Sequence, residues 1–264
     1  MKIFFALPLM AALLCAAAGL RPDAALAVDA AAREIMTRVY DHADGEDRRF
    51  AMTMTLTNRQ GRQRIRTVES FSKDYGRDRK SVMIFLAPAD VKGTMYLSWE
   101  YENPGREDDK WLYMPALRKD RRISGASRNE YFMGSDFTYD DIGRRHPAKD
   151  AQRRLGEETV NGFACWKIEC VPLDPSETYT RRVAWVAKEA GLVIKAEYHD
   201  KDGLLKTFTA LDVRKQDGFW NIYLCEMVNA VTGHKTEMKI ASLLYDTGLD
   251  DALFTVATLQ RGRI

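Results

Sequence analysis

Histidine is scarce in this chain of 264 residues: four are present, His42, His146, His199 and His234. None stands at H-E-x-x-H or a related metal-ligand spacing. There is no G-x-S-x-G elbow, no S-x-x-K, no P-loop and no G-x-G-x-x-G, so the familiar hydrolase, nucleotide and dinucleotide signatures are missing. Cysteine is equally sparse. Beyond Cys15, only Cys165, Cys170 and Cys225 remain, an odd number that excludes a complete disulfide framework. An excess of one charge sign is lacking too: 40 Lys and Arg against 38 Asp and Glu leave a net +2, too balanced to indicate nucleic acid. There is no Pro/Ser-rich linker, no fixed-period repeat and no charge block long enough for a tail.

Long apolar runs occur once. Lys2 is followed by "IFFALPLMAALLCAAAGL" and then by the small-x-small triplet Ala25-Leu26-Ala27. This reads as a signal peptide over residues 1–27, cleaved after Ala27, with an uncleaved anchor as the alternative. Leu14 before Cys15 is too large for lipid attachment, which argues against a lipoprotein. The expectation is export to the periplasm and a single mature domain over residues 28–264. Cys165 and Cys170 have odd spacing, which puts them on opposite faces of a strand. They read as buried thiols, although export leaves a bridge from either to Cys225 open.

The mature chain begins with a helical pattern over 28–44, with Asp29 as N-cap. From Arg49 the period changes to two. "FAMTMTLTN" sets Met52, Met54 and Leu56 against Thr53, Thr55 and Thr57, and "GTMYLSWEY" sets Met95, Leu97 and Trp99 against Thr94, Tyr96 and Ser98. Gln60-Gly61, Asn161-Gly162, Ala190-Gly191, Asp202-Gly203 and Asp217-Gly218 mark turns. The pattern predicts an N-terminal helix and about 11–12 antiparallel strands in meander order. It also predicts a short helical turn and a final extended piece after Thr247. Residues 125–150 interrupt the rhythm. A sheet this large curls or closes, and one helix is too little to fill it. The expected result is an incomplete β-barrel with an apolar hollow and a mid-chain lid.

The interruption contains "RNEYFMGSDFTYDD", Arg128–Asp141, dense in aromatics and aspartates. Asp136, Asp140 and Asp141 read as capping or salt-bridging groups, with acid–base work and cation binding as alternatives; no histidine or nucleophile is in evidence as a partner. Upstream, Arg118, Lys119, Arg121, Arg122 and Arg128 read either as a solvated strand face or as a basic rim for a docking partner or anionic head groups. Trp99, Trp111 and Tyr113 read as core or as the wall of a hollow.

Three ordered stretches, "FLAPADVKGTMYLSW", "DDKWLYMPALRKDRRISG" and "FMGSDFTYDDI", resemble the outer membrane lipoprotein-sorting protein family. This is a LolA-like group often associated with RND/MMPL-type lipid exporters. The resemblance spans about Asp29 to Gln260. It implies an open antiparallel barrel lidded by helices, acting as a periplasmic carrier or chaperone for the acyl chains of a lipid or lipoprotein. It implies no catalytic residue, cofactor or metal. Expected partners are the acyl chains, an envelope transporter of RND/MMPL or Lol type, and a transient membrane surface. The alternative is a lipid-sensing accessory subunit docking to such a transporter. On this reading Met95, Leu97, Trp99, Trp111, Tyr113, Tyr131, Phe132, Met133, Phe137 and Tyr139 face the lipid. Asp136, Asp140 and Asp141 hold the lid shut through Arg121, Arg122 or Arg144, and Arg118, Lys119 and Arg128 serve docking.

Overall fold

Each segment with a period of two forms a strand in the computed structural model, which describes residues 29–262. The strands are β1 (Asp47–Thr57), β2 (Gln63–Tyr75), β3 (Asp78–Ala87), β4 (Met95–Glu100), β5 (Asp109–Met114), β6 (Lys119–Ile123) and β7 (Asp150–Val160). They continue with β8 (Phe163–Pro172), β9 (Arg181–Ala187), β10 (Val193–Asp200), β11 (Gly203–Gln216), β12 (Phe219–Asn229) and β13 (Lys235–Tyr245). All 13 belong to one antiparallel sheet. Its order is two meanders, β1 to β6 and β7 to β13, joined where β13 pairs with β1. The sheet is curved and does not close. β6 and β7 are its two free edges, and they are consecutive in sequence. The segment between them, 124–149, is the predicted interruption.

Two hairpins show how local chemistry sets the register. Asn161 and Gly162 both have positive φ, 49° and 82°, as do Asp217 and Gly218, 52° and 90°. That pair of conformations suits a two-residue hairpin turn, and Asn-Gly and Asp-Gly adopt it at least cost.

The cross-strand pairings assign side chains to faces. One face carries Leu112, Tyr96, Phe85, Val68, Met52 and Met54, and continues through Met227, Phe208, Ala196, Ala184 and Ile168. This is the inner face, because helix α1 (Ala30–Tyr40) and the 124–149 segment both cover it. Helix α1 starts where expected: the Asp29 carboxylate accepts from the Ala31 and Ala32 amides at 3.0 and 3.2 Å. Its Ala32 and Ile35 pack on Ile168, Cys170, Ala184 and Val186.

The outer face is covered only in part. The Asp47 carboxylate accepts from the Thr247, Gly248 and Leu249 amides at 2.8, 2.8 and 2.9 Å, which turns the chain back across β2 to β5. A 3-10 turn over Asp251–Phe254 follows. The final piece is a helix (Val256–Arg261) rather than the expected extended segment. Thr255 caps its start, and Gly262 closes it at φ 66°. Phe254 and Leu259 seal Phe71, Val82, Met95 and Leu97.

This placement corrects the sequence reading of five residues. Met95, Leu97, Trp99, Trp111 and Tyr113 share the outer face with that C-terminal segment, opposite the side covered by Phe132 and Tyr139. The Trp99 indole donates to the Phe254 carbonyl at 2.9 Å. The strand count is also one above the upper expectation. Cys165 and Cys170 are buried in different clusters, and Cys165, Cys170 and Cys225 are all free thiols. Burial pushes Cys170 and Cys225 up to about 12, so neither is a reactive thiolate. The predicted leader lies outside the described residues. Among the described residues no helix is long and apolar enough to cross a membrane.

Phe254→Ala is expected to cost about 3–5 kcal/mol of stability, read from the midpoint of urea unfolding. A loss below about 1 kcal/mol would show that the C-terminal segment does not seal the outer face.

Candidate functional site

The 124–149 segment folds back onto the inner face as a small hairpin. Tyr131 bridges Thr138, and the Phe132 amide donates to the Phe137 carbonyl at 2.7 Å. Met133 and Gly134 turn the chain at φ 50° and 72°. A single helical turn, α2 (Tyr139–Ile142), follows, and the helix over Val256–Arg261 is α3. The cap of α2 is Thr138, not Asp136: Thr138 and Asp141 exchange amide-to-side-chain hydrogen bonds at 3.2 and 2.6 Å.

Phe132 and Tyr139 are buried and plug the β1–β6 half of the inner face. Phe132 meets Phe85, Tyr96 and Tyr139 at centroid distances of 5.9, 5.3 and 5.5 Å. Met133 is half-buried beside them, and Arg66 donates to its carbonyl. Phe137 turns the other way and meets Phe208 at 6.4 Å. Tyr131 is exposed, with its hydroxyl accepting from Asn229 at 3.1 Å.

Charged pins hold the plug. Lys206 on β11 is fully buried and donates to Asp141 Oδ2 at 2.6 Å and to the Asp136 carbonyl at 2.8 Å. The rings of Tyr131, Tyr179 and Tyr198 surround its ammonium at 5.8, 5.1 and 5.3 Å. Burial pushes the Lys206 pKa below its ordinary value, against the pull of Asp141 and Asp136. Lys110 on β5 donates to Asp140 at 2.8 Å. Asp136 lies 2.6 Å from His234 Nδ1 and accepts from the Thr236 hydroxyl at 2.7 Å. So Asp136 does have a histidine partner, which the sequence did not reveal.

The expected arginines serve elsewhere. Arg121 pairs with Glu130 at 2.9 Å, Arg122 with Asp109, and Arg144 with the buried Glu100 at 3.1 Å. Arg128 donates to the Gly125 carbonyl at 3.2 Å and lies 4.0 Å from Asp140, so it faces the segment rather than solvent alone. Arg118 and Lys119 stand at the β5–β6 turn, without an ion pair among the described residues. Lys206 and Lys110 were missed, yet each leaves a signal: Lys206 is in phase with Phe208 and Ala210, and Lys110 with Leu112. A lysine in an inward-facing apolar row needs a buried partner.

Between α1 and the β8–β11 part of the inner face the plug stops, and a cavity of about 320 Å³ remains. Met36 and Val39 roof it, Cys170, Ala184, Ala196 and Phe208 floor it, and Phe137 closes one side. Tyr40, Arg144, Arg145, Asp150, Arg182 and Tyr198 supply its polar border. Arg145 and Arg182 both bind Asp150, at 2.6 and 2.8 Å. The Arg182 Nε is buried with no partner. The volume is at the lower end of the roughly 300–1,000 Å³ range of ligand pockets. Such a chamber offers burial to an apolar chain and hydrogen-bond donors to a polar end.

A curved open sheet with a helix and a plug on its inner face defines the LolA-like class. A LolA superfamily protein from Nitrosomonas europaea has the same fold, with a TM-score of 0.66 at 19% identity, over 86% of this chain and 98% of that one. A DUF1329 family protein from Desulfovibrio piger is 32% identical, with a TM-score of 0.82, over 87% of this chain and 98% of that one. A domain from Vibrio parahaemolyticus assigned to outer membrane lipoprotein sorting is 32% identical, with a TM-score of 0.81, over 88% and 99%. A family described as uncharacterised matches residues 77–261. No protein of curated function matches the chain. The chain therefore belongs to the DUF1329, or outer membrane lipoprotein-sorting, family that these two relatives represent.

Two outcomes test the pins. Lys206→Met leaves Asp141 buried and unpaired and is expected to cost about 3–5 kcal/mol, whereas Lys206→Met with Asp141→Asn recovers much of that loss. Additive losses in the double-mutant cycle would show that the two groups are not coupled. The second outcome concerns acid. Burial works to raise the Asp140 pKa, but Lys110 and Arg128 outweigh it and hold the carboxyl below 3.8. Stability from this pair is thus full above pH 3.8 and is lost as pH falls below it, because the unfolded chain takes up the proton first. Asp140→Asn is expected to flatten that part of the profile of Tm against pH.

Proposed function

We propose that this protein is an exported carrier that binds the acyl chain of a lipid or lipoprotein in the cavity beneath α1 and moves it between the inner and outer membranes. The cavity carries the reading: its floor and roof are apolar, while its border presents arginines. An acyl chain gains about 0.8 kcal/mol for each buried methylene, so a chain of about fourteen carbons gains on the order of 10 kcal/mol, less several for association. No covalent step is needed. The family supports the same assignment, since one relative is assigned to outer membrane lipoprotein sorting. The leader-like N-terminus supports delivery to the periplasm.

The direct test is native mass spectrometry of the mature protein purified from its own periplasm, combined with uptake of a fluorescent fatty acid. An associated acyl lipid near one-to-one, and saturable uptake, are the expected results. Ala196→Phe places a ring in the cavity floor and is expected to lower uptake at least tenfold while the protein stays folded. Unchanged uptake by that variant would move the ligand elsewhere.

A further inference from the structure

Antiparallel order gathers the β1–β2, β3–β4, β5–β6, β8–β9, β10–β11 and β12–β13 turns at one end of the sheet. This end is unusual in what it exposes. Seven of the ten large hydrophobic side chains that are exposed among the described residues lie here. Val231 at the β12–β13 turn is 72% exposed, Leu117 at the β5–β6 turn 59%, and Ile65 beside the β1–β2 turn 55%. These three stand at or beside three separate turns.

Cations flank them. Arg59, Arg62 and Arg64 are all exposed along the β1–β2 turn, and none makes an ion pair among the described residues. Gly233 approaches the Arg59 side chain, which sets the β12–β13 turn and its Val231 beside this cluster. Arg118 and Lys119 adjoin Leu117 in the same manner. The β1–β2, β3–β4 and β5–β6 connections hold one acidic side chain, Asp90, and Asp120 follows within β6. The acids of this end otherwise gather in the β8–β9 and β10–β11 turns. The cation excess is therefore local to the β1–β2 and β5–β6 turns, whereas the turns of the opposite end carry Glu102, Glu107, Asp108, Glu189 and Asp217 against Arg77, Arg106 and Lys188.

We propose that the β1–β2, β5–β6 and β12–β13 turns form a docking surface for a lipid bilayer with anionic headgroups. A protein partner would call for a contiguous apolar core in its interface. Single aliphatic tips, each bordered by unpaired guanidinium or ammonium groups, instead suit shallow insertion between headgroups, with the cations at the phosphate level. The surface also adjoins the plug. Arg66 on β2 binds the Met133 carbonyl, and Asp136 reaches His234 and Thr236 beside the β12–β13 turn. Docking there brings the bilayer against the part of the molecule that closes the inner face. The inference is independent of what occupies the cavity.

Co-sedimentation with vesicles tests it, using phosphatidylglycerol mixed with phosphatidylcholine against phosphatidylcholine alone. The mature protein is expected to bind the anionic vesicles, and to release as salt is raised. Each cation near an anionic surface contributes about fivefold in affinity, so Arg59→Gln, Arg62→Gln and Arg64→Gln together are expected to weaken binding about a hundredfold. All three positions are exposed, and an unchanged Tm would confirm that the variant folds. Val231→Ser is expected to weaken binding several-fold with the salt dependence retained. Absence of binding to anionic vesicles would overturn the proposal. So would binding indifferent to vesicle charge, salt and the triple substitution, which would place the contact at the cavity or elsewhere. Fatty-acid uptake by the triple variant is expected to match the parent chain, and this separates a failed docking surface from a failed carrier.

Discussion

A sheet that curves without closing has an inner face to bury, and this chain has too little helix to bury it. Thirteen strands spaced about 4.8 Å apart span on the order of 58 Å. Helix α1, with 11 residues, is about 16 Å long. It covers the β8–β10 region and leaves the rest open. The 124–149 segment answers that deficit on the β1–β6 side with Phe132 and Tyr139. It can do so because it links the two free edges and thus must cross the gap between them. The cavity lies where these two covers meet. It is a consequence of the same mismatch that makes the plug necessary.

Hydrophobic burial is non-directional, so an aromatic plug on an apolar face has no preferred position from burial alone. The charged pins supply one. Lys206 on β11, Lys110 on β5 and His234 in the β12–β13 turn engage Asp141, Asp140 and Asp136 in one short segment. A buried ion pair adds little net stability over an apolar pair, because desolvation offsets most of its attraction. Its effect here is on position: a shift of the plug by one residue would leave the Asp136 and Asp141 carboxylates buried without partners and separate Asp140 from Lys110. Thr138 and Asp141 reinforce this by capping α2 at the same point.

Much of this was legible in the sequence where one face is wet. Met52, Met54 and Leu56 alternate with threonines, and they point inward as read. The Asn161-Gly162 and Asp217-Gly218 turns fall where their chemistry puts them. The reading failed on β4, where Met95, Tyr96, Leu97 and Ser98 are all buried. With both faces covered, alternation shows that two faces exist but not which is inner, and the C-terminal segment that covers Met95 and Leu97 comes from more than 150 residues away. The pins failed for a similar reason. Asp141 and Lys206 are 65 residues apart, and nearby arginines looked like nearer partners. The choice among them is made by the sheet, through which strands face the segment.

The two covers of the inner face are held by different forces, and this bears on which of them gives access to the cavity. The plug is tied by the buried Lys206–Asp141 pair and by the partly exposed Lys110–Asp140 pair, and freeing it means either hydrating these charges or leaving them unpaired. At the N-terminal end of helix α1 the Asp29 amide donates to the Gln152 carbonyl at 3.0 Å, and Arg33 donates to the Gln152 side chain and the Asp150 carbonyl at 2.6 and 2.9 Å. Its C-terminal end has ring contacts, Tyr40 against His146 at 4.9 Å and under the Arg144 guanidinium at 4.9 Å, and polar ones, Arg77 to the cap residue Asp41 at 2.9 Å and His42 Nε2 2.8 Å from the Trp220 carbonyl. Met36 and Val39, which roof the cavity, and Tyr40 on its border lie between these anchors of the helix. Lifting it exposes apolar surface that an incoming acyl chain would cover again, whereas lifting the plug breaks ion pairs that an acyl chain cannot replace. The ion pairs thus fix the aromatic segment at one position on the sheet, whereas α1 covers the cavity with apolar side chains and is tied by polar contacts only at its two ends.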